Sequence, residues 1–116
     1  MRTPDRFRRM ALALPDAVEG EHMGQPDFRA GGRVFASLQP ERRLDMVKLT
    51  PAQQRRFVAE GDTFFPATGA WGRQGYTHVR LASVDPTTAA DALRHAWENA
   101  MAQPPRRPRK RTAKRT

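Results

Sequence analysis

The chain has 116 residues, 38% of them hydrophobic, with 10 prolines and no cysteine. That length suits one compact domain with a modest core, and the missing cysteines exclude disulfides, thiolate nucleophiles and cysteine metal sites and fit a reducing, cytoplasmic setting. The net charge is +9, yet residues 103–116, "QPPRRPRKRTAKRT", hold seven cations and no acid, so residues 1–102 balance fourteen cations against twelve acids. Residues 1–102 are therefore read as one near-neutral domain. Residues 103–116 are read as a disordered basic tail, because prolines and dense like charge leave it nothing to fold around. No apolar run approaches the ~18 residues of a membrane span.

Thr3-Pro4-Asp5 starts a helix with a capping hydroxyl, a proline at the first helical position and an acid in the first turn. Phe7, Met10, Ala11 and Leu14 form its apolar stripe, and Pro15 ends it. A short strand is expected in "AVEGEH". "DFRA", Gly31-Gly32 and "RVFASLQ" read as a hairpin, and "RLDMVKL" as a further strand in which Asp45, Val47 and Leu49 alternate with Leu44, Met46 and Lys48. Thr50-Pro51-Ala52-Gln53 has the form of a capping box, which predicts a second helix that runs to Gly61. "DTFFPATGAWGRQG" reads as a shaped loop. "YTHVRLA" is a strand with Thr77, Val79 and Leu81 on one face and Tyr76, His78 and Arg80 on the other. Asp85-Pro86 caps a last helix whose buried stripe is Ala89, Leu93, Ala96, Trp97 and Ala100. Hairpins without crossovers imply a two-layer α+β domain, an antiparallel β-sheet with helices on one face.

The order of these segments resembles the MmcQ/YjbR family of small bacterial proteins. The residues that carry the likeness are Glu19 or Glu21, His22, Gly24-Gln25-Pro26-Asp27-Phe28, Gly31-Gly32, Lys48, Phe65-Pro66-Ala67 and Trp71-Gly72. The match covers roughly residues 7–100. Met23 stands where the family often has an aromatic, and Trp97 stands near a common tyrosine. The resemblance implies an α-β(3)-α-β(2)-α fold like that of secretion chaperones, adds a strand within residues 62–75, and implies DNA binding.

"HMGQPDFRAGGRVFASL" has the look of a catalytic loop, but Pro26, Gly24 and Gly31-Gly32 each have a geometric task without a substrate. His22, Glu19 and Trp71 are candidates for a small pocket. Trp71 is expected chiefly to anchor its loop on the core, with a ligand platform as the alternative. Glu19 and Glu21 share a strand face that His22 does not, which argues against a metal site. Ser37 and Ser83 lie in no nucleophile motif, and no phosphate-loop glycine pattern occurs. No paired acid and base, no cofactor and no catalytic residue are expected. Alternation instead gathers Arg33, Lys48, Tyr76, His78 and Arg80, with Phe35, on the open face of the sheet, where cations among aromatics hold phosphates and stack bases. The sequence thus predicts a non-enzymatic, monomeric nucleic-acid-binding protein. Most of the affinity is expected from Arg106, Arg107, Arg109, Lys110, Arg111, Lys114 and Arg115. A module that binds a protein or small ligand through the open sheet face or the Trp71 loop is the alternative.

Overall fold

Two tight turns fold the first strands into a meander. Met23-Gly24 and Gly31-Gly32 all have positive φ, the backbone that a two-residue hairpin turn with the sheet's own twist demands. The protein, seen in a computed structural model that describes residues 4–39 and 44–102, runs α1 (Pro4–Leu12), β1 (Val18–His22), β2 (Gln25–Ala30), β3 (Arg33–Gln39), β4 (Leu44–Lys48), α2 (Pro51–Val58), β5 (Phe64–Pro66), α3 (Gly69–Arg73), β6 (Tyr76–Arg80) and α4 (Pro86–Ala102). The six strands form one antiparallel sheet in the order β1-β2-β3-β4-β6-β5. This is the expected α+β architecture, and β5 is the strand that the resemblance adds. The short helix α3 was not expected. It occupies "GAWGR", which three glycines in "GAWGRQG" made read as irregular.

One sheet face is covered by helices. Phe7 of α1, Phe57 of α2 and Leu93 of α4 join Phe28, Leu38, Val47 and Val79 in a single core, and Trp97 packs against it. The Trp97 indole N–H donates to the Pro15 carbonyl at 2.8 Å, which ties α4 to the segment after α1. The predicted capping box opens α2, with Thr50 and Gln53 bonded reciprocally. Asp85 caps α4 through the backbone N–H of Thr88 at 2.8 Å.

The alternation of β3 departs from expectation. The ladder steps from Phe28 opposite Ala36 to Arg29 opposite Val34, so Phe35 has no partner and the strand bulges there. Phe35 turns into the core, fully buried, instead of facing outward.

Asp45 sits on the core side among apolar neighbours, opposite Val79 and Leu38. No hydrogen bond of ordinary geometry reaches either carboxyl oxygen among the described residues. Burial pushes its pKa up to about 7, and the backbone N–H of Gln39 offsets only part of that. A folded-state pKa above the unfolded 3.8 means that this stabilisation is complete below about pH 4 and is lost as pH rises through 7. Chemical denaturation across this range should show the wild type losing on the order of 3–4 kcal/mol, and Asp45→Asn should flatten that slope. Leu93→Ala should cost about 2–5 kcal/mol by leaving a cavity under α4, measured as the shift in urea midpoint.

Candidate binding groove on the open sheet face

The register lays one row of directly opposed residues across all six strands: Gly20, Asp27, Ser37, Met46, His78 and Phe65. Because opposed residues point the same way, the whole row lies on the face that the large helices leave open. Ser37, Met46 and His78 form the floor of a groove of about 570 Å³. His22 and Arg29 from the β1–β2 hairpin stand on one side, and Trp71 and Tyr76 stand on the other.

The Trp71 wall is built by close backbone contacts. A Cβ on Gly72 would collide with the Ala67 carbonyl, and one on Gly75, at φ 112°, with the Leu49 carbonyl. Buried Gln54 of α2 donates its amide to the carbonyls of Gly72 and Tyr76, both at 3.0 Å, and to the Thr77 hydroxyl at 3.2 Å. Helix α3 is thus clamped to β6. Trp71 is not the core anchor expected from sequence. It is 61% exposed and meets Tyr76 edge to face at 5.0 Å.

The opposite wall is an ionic cluster. Asp27 is wholly buried, and its carboxylate accepts from Arg29 Nε at 2.8 Å and Nη2 at 3.1 Å. The same carboxylate lies 2.6 Å from His22 Nδ1. The Arg29 bond, and after it the His22 bond, hold Asp27 below the usual aspartate pKa against the opposing effect of burial. A carboxylate only accepts, so Nδ1 carries the hydrogen, and His22 lines the groove with its ring fixed by that bond. Gly20 makes room for the cluster, since a Cβ there would lie 2.9 Å from Asp27 Oδ1 and 3.0 Å from Arg29 Nε. The expectation that no acid and base are paired near the glycines is corrected here. The missing signal was the Met23-Gly24 turn. Once His22 is placed opposite Gln25, Asp27 becomes its diagonal neighbour on the same face.

The other predicted residues divide. Lys48 Nζ lies 5.2 Å from the Tyr76 ring centre, and the Arg80 guanidinium lies 4.4 Å from that of Phe65. Arg80 Nε donates to the Asp62 carbonyl at 2.9 Å, and neither cation forms an ion pair among the described residues. His78 belongs to the open face but is 6% exposed rather than open, because the Phe65 ring packs on it at 5.0 Å. Arg33 is half-buried beside Ala96 and Asn99 of α4, away from the groove floor, since the β3 bulge shifts the alternation before it. Glu19 faces α1 and pairs with Arg8 at 3.0 Å. Arg106, Arg107, Arg109, Lys110, Arg111, Lys114 and Arg115 lie outside the described residues. Among the described residues no cluster of three metal-ligating side chains occurs, and no helix is long and apolar enough to cross a membrane.

A family model named YjbR matches residues 12–99. No curated protein matches the chain. Among solved structures, a Deinococcus radiodurans protein with a DUF419 domain superposes with a TM-score of 0.72 at 17% identity, over 89% of this chain and 84% of its own. A Pseudomonas syringae protein superposes at 0.67 and 12% identity, over 84% and 98% respectively.

Gly20→Ala should displace the Asp27–Arg29 pair and lower stability by about 1–3 kcal/mol, as overpacking does. Thermal unfolding of the variant would measure this. At Gly24 nothing lies within 4 Å of an added Cβ, so Gly24→Asn, a residue that tolerates positive φ, should cost far less.

Proposed function

The chain belongs to the YjbR family, and we propose that it binds nucleic acid as a single strand on the open sheet face, with the basic residues 106–115 adding sequence-independent affinity. The observation that carries this reading is the Trp71–Tyr76 pair beside the groove. An exposed indole, held edge-on by a tyrosine that also meets Lys48, is a platform for an unpaired base with a cation near the strand's phosphates. Arg80, stacked on Phe65 at the other end of β6, extends the cationic margin. A duplex keeps its base faces stacked inside and offers nothing for the indole to stack on, so a single strand fits better. Phosphate contacts position such a strand without reading its sequence. No catalytic step is part of this reading.

The groove's size supports a second one. About 570 Å³ lies within the range of small-molecule pockets, roughly 300–1,000 Å³. A small ligand held by Trp71 and the floor residues would bind with little dependence on salt.

Salt-titrated binding of a labelled single-stranded oligonucleotide separates the two. The full chain should give a steep negative slope of log K against log salt, about −0.7 per phosphate contact. Deleting residues 104–116 should flatten that slope. Trp71→Ala should weaken binding by about 1–3 kcal/mol at every salt concentration without changing the slope, and Lys48→Ala and Arg80→Ala should each reduce the slope by about one contact. A salt-insensitive affinity would favour the small ligand. Absence of binding at low salt by both full-length and tail-less protein would overturn the nucleic-acid reading.

A further inference from the structure

We infer that the His22–Asp27–Arg29 cluster is a ribose-hydroxyl subsite, which gives the groove a preference for RNA over DNA. The inference rests on the single-strand reading above and names the class of strand. Asp27 fixes the ring of His22 through Nδ1, so in its neutral form the imidazole has Nε2 as a hydrogen-bond acceptor. Arg29 uses Nε and Nη2 on the same carboxylate, while Nη1 has no protein partner among the described residues. One carboxylate therefore anchors two groove-lining side chains, one that can accept and one that donates. Both side chains are accessible, His22 by 51% and Arg29 by 40%.

This pairing selects the ligand group. A phosphate oxygen offers only acceptors, so it would satisfy Arg29 and leave the Nε2 lone pair without a donor. A hydroxyl donates and accepts at once, and so answers both atoms together. In a nucleic-acid strand the 2′-hydroxyl is such a group, and it is also what distinguishes RNA from DNA. The cluster is ordered before any ligand arrives, because Asp27 is buried and Gly20 leaves the space that the pair occupies. Little side-chain freedom then remains to be lost on binding.

The test compares three unstructured single strands of one sequence on the full-length protein at fixed salt: RNA, DNA and 2′-O-methyl RNA. The methylated strand keeps the RNA-like sugar but has no hydroxyl to donate. The expected result is RNA tighter than DNA by about 5- to 10-fold, the worth of one hydrogen bond, with 2′-O-methyl RNA close to DNA. His22→Ala, a half-exposed position, should fold normally and bring the RNA-to-DNA affinity ratio down to about one. Equal binding of RNA and DNA by the wild type, or a preference that survives His22→Ala, overturns the subsite and leaves the single-strand reading standing. Failure to bind any of the three strands overturns both.

Discussion

The pairing register of the sheet is the constraint from which the rest follows. A strand sends alternate residues to opposite faces, so a slip of one residue would exchange core for groove. Two short turns with positive φ at every central residue hold β1, β2 and β3 in one register. That register puts Phe28, Leu38, Val47 and Val79 under the helices, and it puts Asp27, Ser37, Met46 and His78 on the open side. Among the described residues the β3 bulge is the one local exception. It buries Phe35 and leaves Val34 to line the groove, so the apolar layer gains an aromatic ring without a break in the polar row.

The Trp71 wall depends on polar and steric terms rather than on apolar burial. Helix α3 has five residues, too few to be stable on its own. It is held because Gly72 and Gly75 let backbone approach backbone, and because Gln54 gives its buried amide to carbonyls on either side of the Gly75 turn. Each of those carbonyls also accepts from the backbone, Gly72 from the N–H of Gly75 at 3.0 Å and Tyr76 from that of Ala67 at 2.9 Å, so the Gln54 amide adds a second bond to each and joins α2 to both. The exposed indole therefore sits on a clamped base. A side chain with 61% of its surface in water then has a defined place, which is what a stacking surface requires.

Much of this fold is legible in the sequence because its signals are local. The Thr50-Pro51 capping box, the Gly31-Gly32 turn and the alternation of "YTHVRLA" each state their structure within a few residues. The Met23-Gly24 turn was harder to see, since methionine rarely adopts positive φ, and the His22–Asp27 pair was missed with it. Helix α3 was hidden for a different reason. Gly72 within it and Gly75 just after it mark close packing against Ala67 and Leu49, which are contacts that sequence alone does not reveal. The burial of His78 likewise depends on the placement of β5 and of the Phe65 ring upon it. Lys48, Arg80 and Tyr76 were assignable to the open face because alternation alone decides them.

Asp27 and Asp45, both buried, show how differently the faces of one sheet are used. Asp45 lies on the core side among apolar side chains, and burial raises its pKa. Asp27 lies on the groove side at the same zero exposure, and its partners lower its pKa. The difference is the company each keeps, a forked guanidinium and an imidazole in one case and hydrocarbon in the other. A buried charge adds little to stability even when well paired, since desolvation consumes most of the attraction. Asp27 is therefore better explained by what it positions than by what it stabilises. It sets the tautomer of His22 and the orientation of Arg29 at the edge of a groove, while the helices on the far side carry the folding free energy. With the two tasks on opposite faces, polar groups on the groove wall can be held rigid without weakening the apolar layer beneath them.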